Sequence, residues 1–470
     1  MARLRVKDYP IIEHVEVTDI ASEGKAVAKV NDMVIFISHA VPGDVVDLKV
    51  VKIHRNYLDA IPIRFVSLSP LRIKPPCRHF EACGGCKWQD LDYDKQLEYK
   101  QKEIYEQLVR IGRLPIRHIL PILRAPETYY YRNKLEFTFS STRWLYPEEM
   151  AQPPEGADLY ALGYHMPDKF DKVLDIEECL LQRDPSNQIR LAIKKFAIEH
   201  RMPFYNMRTH EGFLRTMVSR MASTGEIMII LTFAYEDIAI RTSLLDYIAE
   251  TFPEITSLMY VINPKPHDSF ADLEVRLYKG RPYILEQMEN LKFKVGPKSF
   301  FQTNSRQAAV LYGVVRQAAM LTGHEVVYDL YTGIGTIASF VAAHCERVIG
   351  VEYVPEAIED ARENARFNHI ENAEFFAGDM KDIFTLPFVE QHGAPDVIIL
   401  DPPRAGVHPK VLQNLLVLHP DRIIYVSCNP ATQARDLAVL GEAYDITMVQ
   451  PVDMFPQTHH VENVVQLRLR

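Results

Sequence analysis

The last third of the chain alternates between short apolar runs and helical segments. Five apolar runs occur at residues 325–329, 347–351, 373–376, 397–400 and 423–427, and amphipathic periodicity predicts a helix at residues 355–367. Such alternation is typical of a parallel, doubly wound α/β sheet. We therefore expect residues 296–470 to form one α/β domain, in which the strand ends meet at the edge where ligands bind.

Residues 1–68 show a different pattern, in which short β-rich runs are separated by turns. The turns include Gly24 and the sequence Pro42-Gly43-Asp44, and the runs lie at residues 15–17, 26–30, 34–37, 45–51 and 58–63. Short strands at this spacing predict a small OB-like β-barrel, and such barrels often bind oligonucleotides.

The region between them, residues 69–295, mixes both patterns. Helical periodicity extends from residue 94 to residue 108 and ends near Gly112, and strand patterns follow at residues 135–140 and 226–232. We interpret this region as a central α+β domain. Its helix near residues 94–112 can pack on the C-terminal domain.

The composition is that of a globular protein of 470 residues, of which 47% are hydrophobic; this length predicts about three domains. No segment approaches the roughly 18 apolar residues of a membrane span, and the N-terminus lacks the apolar core of a signal peptide. We therefore predict a cytoplasmic protein without membrane contact. The formal net charge of −9 argues against general coating of nucleic acid, so that any RNA site must be a local basic surface.

Basic residues are concentrated between residues 49 and 74, where Asp59 is the only acid and Tyr57 could stack on a base. The basic residues are Lys49, Lys52, Arg55, Arg64, Arg72 and Lys74. Further candidates for phosphate contacts are Arg132, Asn133, Lys134 and Arg215. For each of them, an ordinary solvated surface residue is the alternative interpretation.

Three of the six cysteines lie within ten residues of one another: Cys77, Cys83 and Cys86. In a cytosolic chain this density favours metal or cluster ligation over disulfides. Zinc sites usually use two close pairs of ligands, whereas a close triplet with one remote cysteine is nearer to iron–sulfur spacing. Cys179 is the candidate fourth ligand, but it would be an ordinary buried cysteine if Cys345 or His79 completed the site. We assign Cys345, which lies in a helical pattern, to packing.

A glycine turn follows the first strand of the α/β domain. Gly333 and Gly335, with Glu352 about 20 residues further on, fit the dinucleotide-binding pattern, so that a nicotinamide oxidoreductase is one interpretation. Asp329, four residues before Gly333, makes the turn resemble motif I of S-adenosylmethionine methyltransferases instead. Each acid, including Asp379 after the third strand, could be a helix N-cap. Three acids at consecutive strand ends favour a ligand site.

The fourth and fifth strands end in Asp401-Pro-Pro-Arg404 and in a Ser-Cys-Asn-Pro turn that contains Cys428. A cysteine in this position can attack a substrate if its proton is removed. The alternative is a small buried cysteine that caps a core strand. The first motif resembles the Asp-Pro-Pro-aromatic motif of amino-methyltransferases, but Arg404 replaces the aromatic residue, which favours methylation of a pyrimidine carbon.

Such a reaction requires both a thiol and a base. Carbon 5 of uracil becomes nucleophilic when a thiolate adds to carbon 6, and a base must later remove the carbon 5 proton so that the thiol can leave. Glu462, just before the last predicted strand at residues 464–469, is the candidate base. A surface glutamate at a strand entrance is the alternative.

Together these motifs resemble the RNA uracil-5-methyltransferase family over essentially the whole chain, in the segments 301–304, 329–336, 401–406, 427–430 and 460–462, and the barrel resembles an RNA-binding TRAM domain. The resemblance implies a C-terminal Rossmann-like, class I S-adenosylmethionine-dependent methyltransferase domain, with Cys428 as nucleophile and Glu462 as general base. It implies contacts to S-adenosylmethionine by Gln302, Tyr331, Gly333, Glu352, Asp379 and Asp401. It also implies a 4Fe-4S cluster bound by Cys77, Cys83, Cys86 and Cys179. Thr332 departs from the family, in which many members have cysteine.

Members that carry both a TRAM domain and the cysteine triplet resemble the 23S rRNA enzymes, whereas tRNA-directed members commonly lack both. We therefore expect a monomer that methylates a single-stranded or loop uridine of 23S rRNA, with a tRNA uridine as the alternative, and a structural role for the cluster. A non-catalytic iron–sulfur RNA-binding protein remains the alternative that is not an enzyme.

Overall fold

The structure is a computed structural model that describes residues 9–116 and 118–470. Residues 1–8 of the predicted N-terminal domain therefore lie outside the described residues. Six strands form the N-terminal barrel in the order β1-β5-β6-β4-β3-β2, around a core that includes Val15, Ile35 and Leu48. They are β1 (Ile11–Glu16), β2 (Asp19–Ile20), β3 (Ala26–Val30), β4 (Met33–Ile37), β5 (Val45–Ile53) and β6 (Tyr57–Ser67).

A long helix, α1 (Tyr93–Arg110), follows the cysteine triplet. It begins at Asp92, whose carboxylate accepts the N–H groups of Asp94 and Lys95 and so satisfies free donors of the first turn. Its apolar side chains Ile104 and Leu108 are completely buried in the core of the C-terminal domain. These side chains therefore join α1 to the apolar core of the C-terminal domain.

The central region is a seven-stranded sheet with the order β13-β12-β11-β10-β7-β8-β9. Its elements are β7 (Lys134–Ser140), β8 (Ala161–His165), β9 (Val173–Asp175), α2 (Ser186–Glu199), β10 (Leu214–Met221), β11 (Ile227–Phe233), α3 (Ile238–Thr251), β12 (Ile255–Ile262) and β13 (Arg276–Gly280). All neighbouring strands are antiparallel except β11 and β12, which α3 connects. One face packs on α2 and α3, and Val218, Met228 and Ile230 of the other face join the core of the C-terminal domain.

A hairpin, β14 (Ile284–Met288) and β15 (Leu291–Val295), leads into the C-terminal sheet, whose strand order is β18-β17-β16-β19-β20-β22-β21. The elements are α4 (Ser305–Ala319), β16 (Val326–Leu330), α5 (Thr336–Ala342), β17 (Arg347–Glu352), α6 (Pro355–Phe367), β18 (Ala373–Ala377), α7 (Met380–Ile383), α8 (Leu386–His392), β19 (Val397–Leu400), α9 (Pro409–Leu418), β20 (Arg422–Ser427), α10 (Pro430–Leu440), β21 (Tyr444–Val452) and β22 (Glu462–Leu469).

The five predicted strands of this domain are parallel to one another, and each begins and ends within a residue of its predicted position. The last strand, β22, runs antiparallel to both of its neighbours, and β21 is an additional strand that the apolar pattern did not reveal. Among the helices of the described residues, none combines the length and apolar character required to cross a membrane.

Candidate active site

Strand register brings the predicted nucleophile and the predicted base together. In the antiparallel pair of β20 and β22, Ser427 lies opposite Asn463. Cys428 follows Ser427 and Glu462 precedes Asn463, so that both residues lie at the same end of the pair. The Cys428 side chain is half-buried, whereas Glu462 is 5% exposed. The pKa of the Cys428 thiol reflects this proximity: burial raises it, and the charge of Glu462 raises it further.

The thiol of Cys428 is protonated at neutral pH in the free protein, because burial raises its pKa to about 11. The Arg404 guanidinium lies beside the thiol and lowers this pKa, both by its charge and by a hydrogen bond. Asn429 ties the two loops together: its Oδ1 accepts the Ala431 N–H at 3.1 Å and caps α10, while its Nδ2 donates to the Arg404 carbonyl at 3.0 Å. Arg404 is therefore the cation that can stabilise the thiolate.

Glu462 is a buried carboxyl group with Asp401 and Arg404 as charged neighbours. Burial raises its pKa well above the ordinary value, the nearby Asp401 raises it further, and Arg404 lowers it. Burial also raises the pKa of Asp401 to about 7. A raised carboxyl pKa is suited to a group that must exchange protons near neutral pH.

The glycine turn between β16 and α5 places backbone donors and acids around an open space. The Gly333 N–H donates to Glu352 Oε2 at 3.2 Å, and the Val354 N–H donates to Glu352 Oε1 at 3.1 Å. Gly333 has a φ of +56°, and a methyl group added there would meet no atom within 4 Å. Asp329 at the start of the turn is completely buried, and burial raises its pKa to about 7. This open, acid-lined turn can hold a cationic or hydroxyl-bearing ligand.

The remaining candidates for cofactor contacts border the same sheet edge. Tyr331 is half-buried with φ +70°, a strained backbone conformation for a residue with a side chain. Asp379 caps α7 by accepting the Lys381 N–H at 3.2 Å and pairs with the Lys381 ammonium group at 2.5 Å. Asp379 is therefore a helix N-cap, as the alternative interpretation of this acid predicted. Gln302 is 9% exposed, and its carbonyl accepts from Asn133 Nδ2 at 2.9 Å.

Tyr312 is a site residue that sequence reasoning missed. It lies on α4 and is 4% exposed; burial raises its pKa well above the ordinary value, and the carboxylates of Asp401 and Asp329 raise it further. The Gln302 side chain hydrogen-bonds to its hydroxyl. Its position in an apolar helical face gave no signal in the sequence, because a tyrosine there is usually ordinary core packing.

The four cysteines of the predicted cluster line one cavity of about 780 Å³: Cys77, Cys83, Cys86 and Cys179. Burial raises the pKa of Cys83 to about 11 and that of Cys86 to about 12. In the described part of the chain, no three His, Cys, Asp or Glu side chains are arranged to hold a metal ion. The cavity extends to Arg404 and His460, so that the cysteines and the active site border one continuous space.

His79 and Cys345 are the alternatives to Cys179 as the fourth ligand of the cluster. His79 is 4% exposed and its Nε2 accepts the Glu177 N–H at 3.0 Å, so that this nitrogen is already occupied. Cys345 lies in the core of the α/β domain, where its Sγ faces the Val341 carbonyl at 3.5 Å. Cys345 therefore lies apart from the cavity, whereas His79 borders it together with Cys179.

Among the predicted phosphate contacts, Arg215 is wrong because its side chain is buried, and the others stay predictions. Arg215 is 1% exposed, pairs with Asp268 at 2.8 Å and donates to the Asn263 carbonyl at 2.8 Å. The Asn133 amide donates to the Gln302 carbonyl and to Ser305 Oγ, so that it holds the segment that contains Gln302. Arg72 is held by Asp44 and Asp90, and Arg64 by Asp47. Lys52, Arg55 and Lys74 are exposed, whereas Arg132 and Lys134 border the cysteine cavity.

Comparison with known proteins places this site in a family. Residues 283–470 match the family described as tRNA (Uracil-5-)-methyltransferase, and residues 12–63 match the TRAM domain. A protein of Bacteroides thetaiotaomicron named an uncharacterized RNA methyltransferase is 55% identical over 96% of this chain and 100% of its own length. The chain belongs to the RNA uracil-5-methyltransferase family.

Other RNA methyltransferases extend this comparison. A protein of Chlorobaculum tepidum, also named an uncharacterized RNA methyltransferase, is 38% identical over 98% of this chain and 97% of its own. The crystal structure of Pyrococcus abyssi tRNA (uracil-54, C5)-methyltransferase in complex with S-adenosyl-L-homocysteine matches with a TM-score of 0.75 and 28% identity, over 96% of this chain and 99% of that one. This protein is thus an S-adenosylmethionine-dependent RNA methyltransferase with an N-terminal TRAM domain.

Proposed function

We propose that this enzyme methylates carbon 5 of a uridine in RNA through a covalent adduct between Cys428 and carbon 6. The observation that carries the proposal is the strand register that sets Cys428 beside Glu462, with Arg404 at the thiol. The Cys428 thiol loses its proton to solvent, the resulting thiolate adds to carbon 6, and the electron pair of the 5,6 double bond moves to form an enolate. Carbon 5 then takes the methyl group from the sulfonium, and neutral S-adenosylhomocysteine leaves.

Glu462 completes the cycle as general base. Its carboxylate removes the proton from carbon 5, the 5,6 double bond re-forms, and the carbon–sulfur bond breaks to release the Cys428 thiolate. Glu462 must be ionised for this step. The nearby Arg404 favours its ionised form, since it lowers the pKa of the carboxyl that burial raises.

The cofactor is bound by the open end of the glycine turn. Glu352 accepts hydrogen bonds from the ribose hydroxyls, and Asp379 borders the adenine. The rest of the cofactor is enclosed by Gln302, Tyr331, Gly333 and Asp401. Asp401 also holds the edge of the uracil. Support comes from the empty space above Gly333 and from the unusual backbone conformation of Tyr331.

Cys77, Cys83, Cys86 and Cys179 would hold a 4Fe-4S cluster. Their four thiols fit such a group because they share one cavity, and four cysteine thiolates are the usual ligands of such a cluster. The cluster would supply a rigid cross-link between residues 77–86 and Cys179.

The RNA substrate is a single-stranded or loop uridine of 23S rRNA in the cytoplasm, on which the enzyme acts as a monomer. Support comes from the TRAM match together with the shared cysteine cavity. A tRNA uridine is the second candidate. The Pyrococcus protein named as a tRNA enzyme matches 96% of this chain, which includes the barrel, so that a barrel alone does not separate the two substrates.

Mass spectrometry of rRNA and tRNA fragments after deletion of the gene tests the proposal. Loss of one 5-methyluridine from 23S rRNA, restored by the wild-type gene but not by Cys428→Ala, supports the first candidate. Loss from tRNA supports the second. An unchanged 5-methyluridine content in both RNAs would disprove the proposed activity.

A further inference from the structure

Glu462 is approached by a loop that lacks regular secondary structure. The loop, residues 453–461, connects β21 to β22 and ends at Glu462. Gln457 in this loop has a φ of +67°, a conformation that its own sequence does not favour. Glu462 is the first residue of β22 and lies opposite Val452 of β21, so that strand pairing holds its backbone on one side and the 453–461 loop enters it on the other. What holds this loop therefore contributes to the position of Glu462.

A buried ion pair anchors the start of the 453–461 loop to α1. Lys100 Nζ lies 2.6 Å from Asp453 Oδ1, and both side chains are completely buried. Lys100 also donates to the Phe455 carbonyl at 3.0 Å, and the Tyr93 hydroxyl donates to Asp453 Oδ2 at 2.8 Å. Both oxygens of the Asp453 carboxylate thus bind α1, across more than 350 residues of sequence.

A pair of amides anchors the middle of the loop to the same helix. Gln96 Nε2 donates to Gln457 Oε1 at 3.0 Å, and the Gln457 N–H donates to Gln96 Oε1 at 3.0 Å. The Gln457 carbonyl accepts the N–H groups of Lys87 and Trp88, which directly follow the cysteine triplet. Since Gln96 and Gln457 are 0% and 2% exposed, these hydrogen bonds have no competition from water.

We propose that Tyr93, Gln96 and Lys100 of α1 are positioning residues for the general base. The inference rests on the proposed function, since it takes Glu462 to be that base. None of the three contacts Cys428 or Arg404, which are held by Asn429 and the start of α10 instead. Loosening the α1 anchors therefore slows removal of the carbon 5 proton and leaves attack by the thiolate unchanged.

Two variants loosen the anchors without leaving a buried charge unpaired. Tyr93→Phe removes one hydrogen bond to Asp453, and the double variant Lys100→Met/Asp453→Asn replaces the ion pair with neutral groups of similar size. Lys95→Met is the matched control, because Lys95 lies on the same helix in an exposed pair with Glu98. Glu462→Gln is the reference for a missing base. Thermal unfolding of each variant identifies those that fold.

The assay is a single turnover of excess enzyme on the RNA whose methylation is lost on gene deletion, with S-adenosylmethionine. Denaturing gels measure the RNA–protein adduct, and mass spectrometry measures released product. We expect both anchor variants to form the adduct at the wild-type rate and to release product on the order of 10- to 100-fold more slowly, because small misplacement of a catalytic group has effects of this size. Lys95→Met should match the wild type.

The outcomes separate this inference from the proposed function. If Glu462→Gln accumulates the adduct while folded Tyr93→Phe and the folded double variant release product at the wild-type rate, the positioning role is wrong. The same conclusion follows if adduct formation and release slow equally. If the wild type forms neither adduct nor 5-methyluridine, the proposed function itself fails.

Discussion

Thr332 donates its hydroxyl hydrogen bond to Asp329 Oδ2 at 2.5 Å, inside the turn that opens α5. The Ala338 N–H donates to the same oxygen at 3.0 Å, while Asp329 Oδ1 is buried and has no hydrogen-bond partner within the described ranges. Threonine at this position therefore supports the turn through its hydroxyl. The unpaired Oδ1 of Asp329 can therefore accept a hydrogen bond from a bound cofactor or take up a proton.

We predict that Asp329 makes stability depend on pH. The pKa of its carboxyl rises from 3.8 in the unfolded chain to about 7 in the folded protein, mainly through burial. Because the folded state binds this proton more tightly, the contribution to stability is complete below about pH 4 and is lost as pH rises through about 7. The difference in unfolding free energy between wild type and Asp329→Asn should fall by up to about 4 kcal/mol across this window.

Urea unfolding at pH values from 4 to about 8 measures this difference. Asparagine keeps the acceptor oxygen for Thr332 and Ala338 but does not titrate, so that subtraction removes the contribution of all other acids. If the unfolding free energies of wild type and Asp329→Asn differ by the same amount at every pH, the raised pKa of Asp329 is contradicted.

We predict that Cys428→Ser abolishes covalent trapping by RNA that contains 5-fluorouridine. Fluorine replaces the hydrogen on carbon 5 and cannot be removed by a base, so that the wild-type adduct persists after methyl transfer and migrates as a stable complex on a denaturing gel. Cys345→Ala is the matched control, since Cys345 lies in the core and away from the site. Trapping by Cys428→Ser, or its loss in a folded Cys345→Ala protein, would argue against Cys428 as the nucleophile.

We predict that Glu462→Gln lowers turnover by about 10²- to 10⁴-fold, the usual contribution of a general base. Methyl transfer continues, so that a methylated RNA–protein adduct should accumulate and be visible by mass spectrometry of the cross-linked peptide. Glu325→Gln provides the comparison, because Glu325 is 7% exposed and Glu462 5%. Glu325 directly precedes β16, at the end of that strand away from the glycine turn. A Glu462→Gln enzyme that turns over at the wild-type rate would exclude this role.

We predict that Cys179→Ala prevents stable binding of the iron–sulfur cluster. Protein purified without oxygen should lose its visible absorption and its iron, measured per chain, and should unfold at a lower temperature because the cluster no longer links two distant segments. Cys345→Ala should keep the wild-type spectrum. Wild-type protein that contains no iron after anaerobic reconstitution would disprove the cluster assignment.

We predict different effects from alanine at the two glycines of the cofactor turn, on stability at Gly335 and on cofactor binding at Gly333. Both have positive φ, so each alanine costs about 1–2 kcal/mol of backbone strain. At Gly335 the new methyl group would also lie 3.0 Å from both Ala361 and Phe375, so Gly335→Ala should be the less stable variant in thermal unfolding. At Gly333 it would enter the open space above the turn. Calorimetry should therefore show weaker cofactor binding by Gly333→Ala, and equal affinities of this variant and the wild type would contradict the proposed cofactor position.

Most of the α/β domain was predictable because its signals are local. Buried parallel strands have continuous apolar runs, and turns of glycine or proline mark where they end, so that the strand before Cys428 and the turn at Asn429 follow from their own sequence. The prediction failed for β21, whose apolar positions are interrupted by polar residues such as Gln450. The start of β22 at Glu462, rather than at residue 464, was also missed.

The sequence by itself therefore determined most of the elements of the α/β domain, the order of the reactive residues and the family to which they belong. Only the tertiary structure decided which of these residues meet. The register that sets Cys428 beside Glu462, the burial of Arg215 and the contact of Lys100 with Asp453 all join positions far apart in the chain. Such contacts arise from packing and from the pairing of buried charges, which leave no periodic or local pattern in the amino-acid sequence.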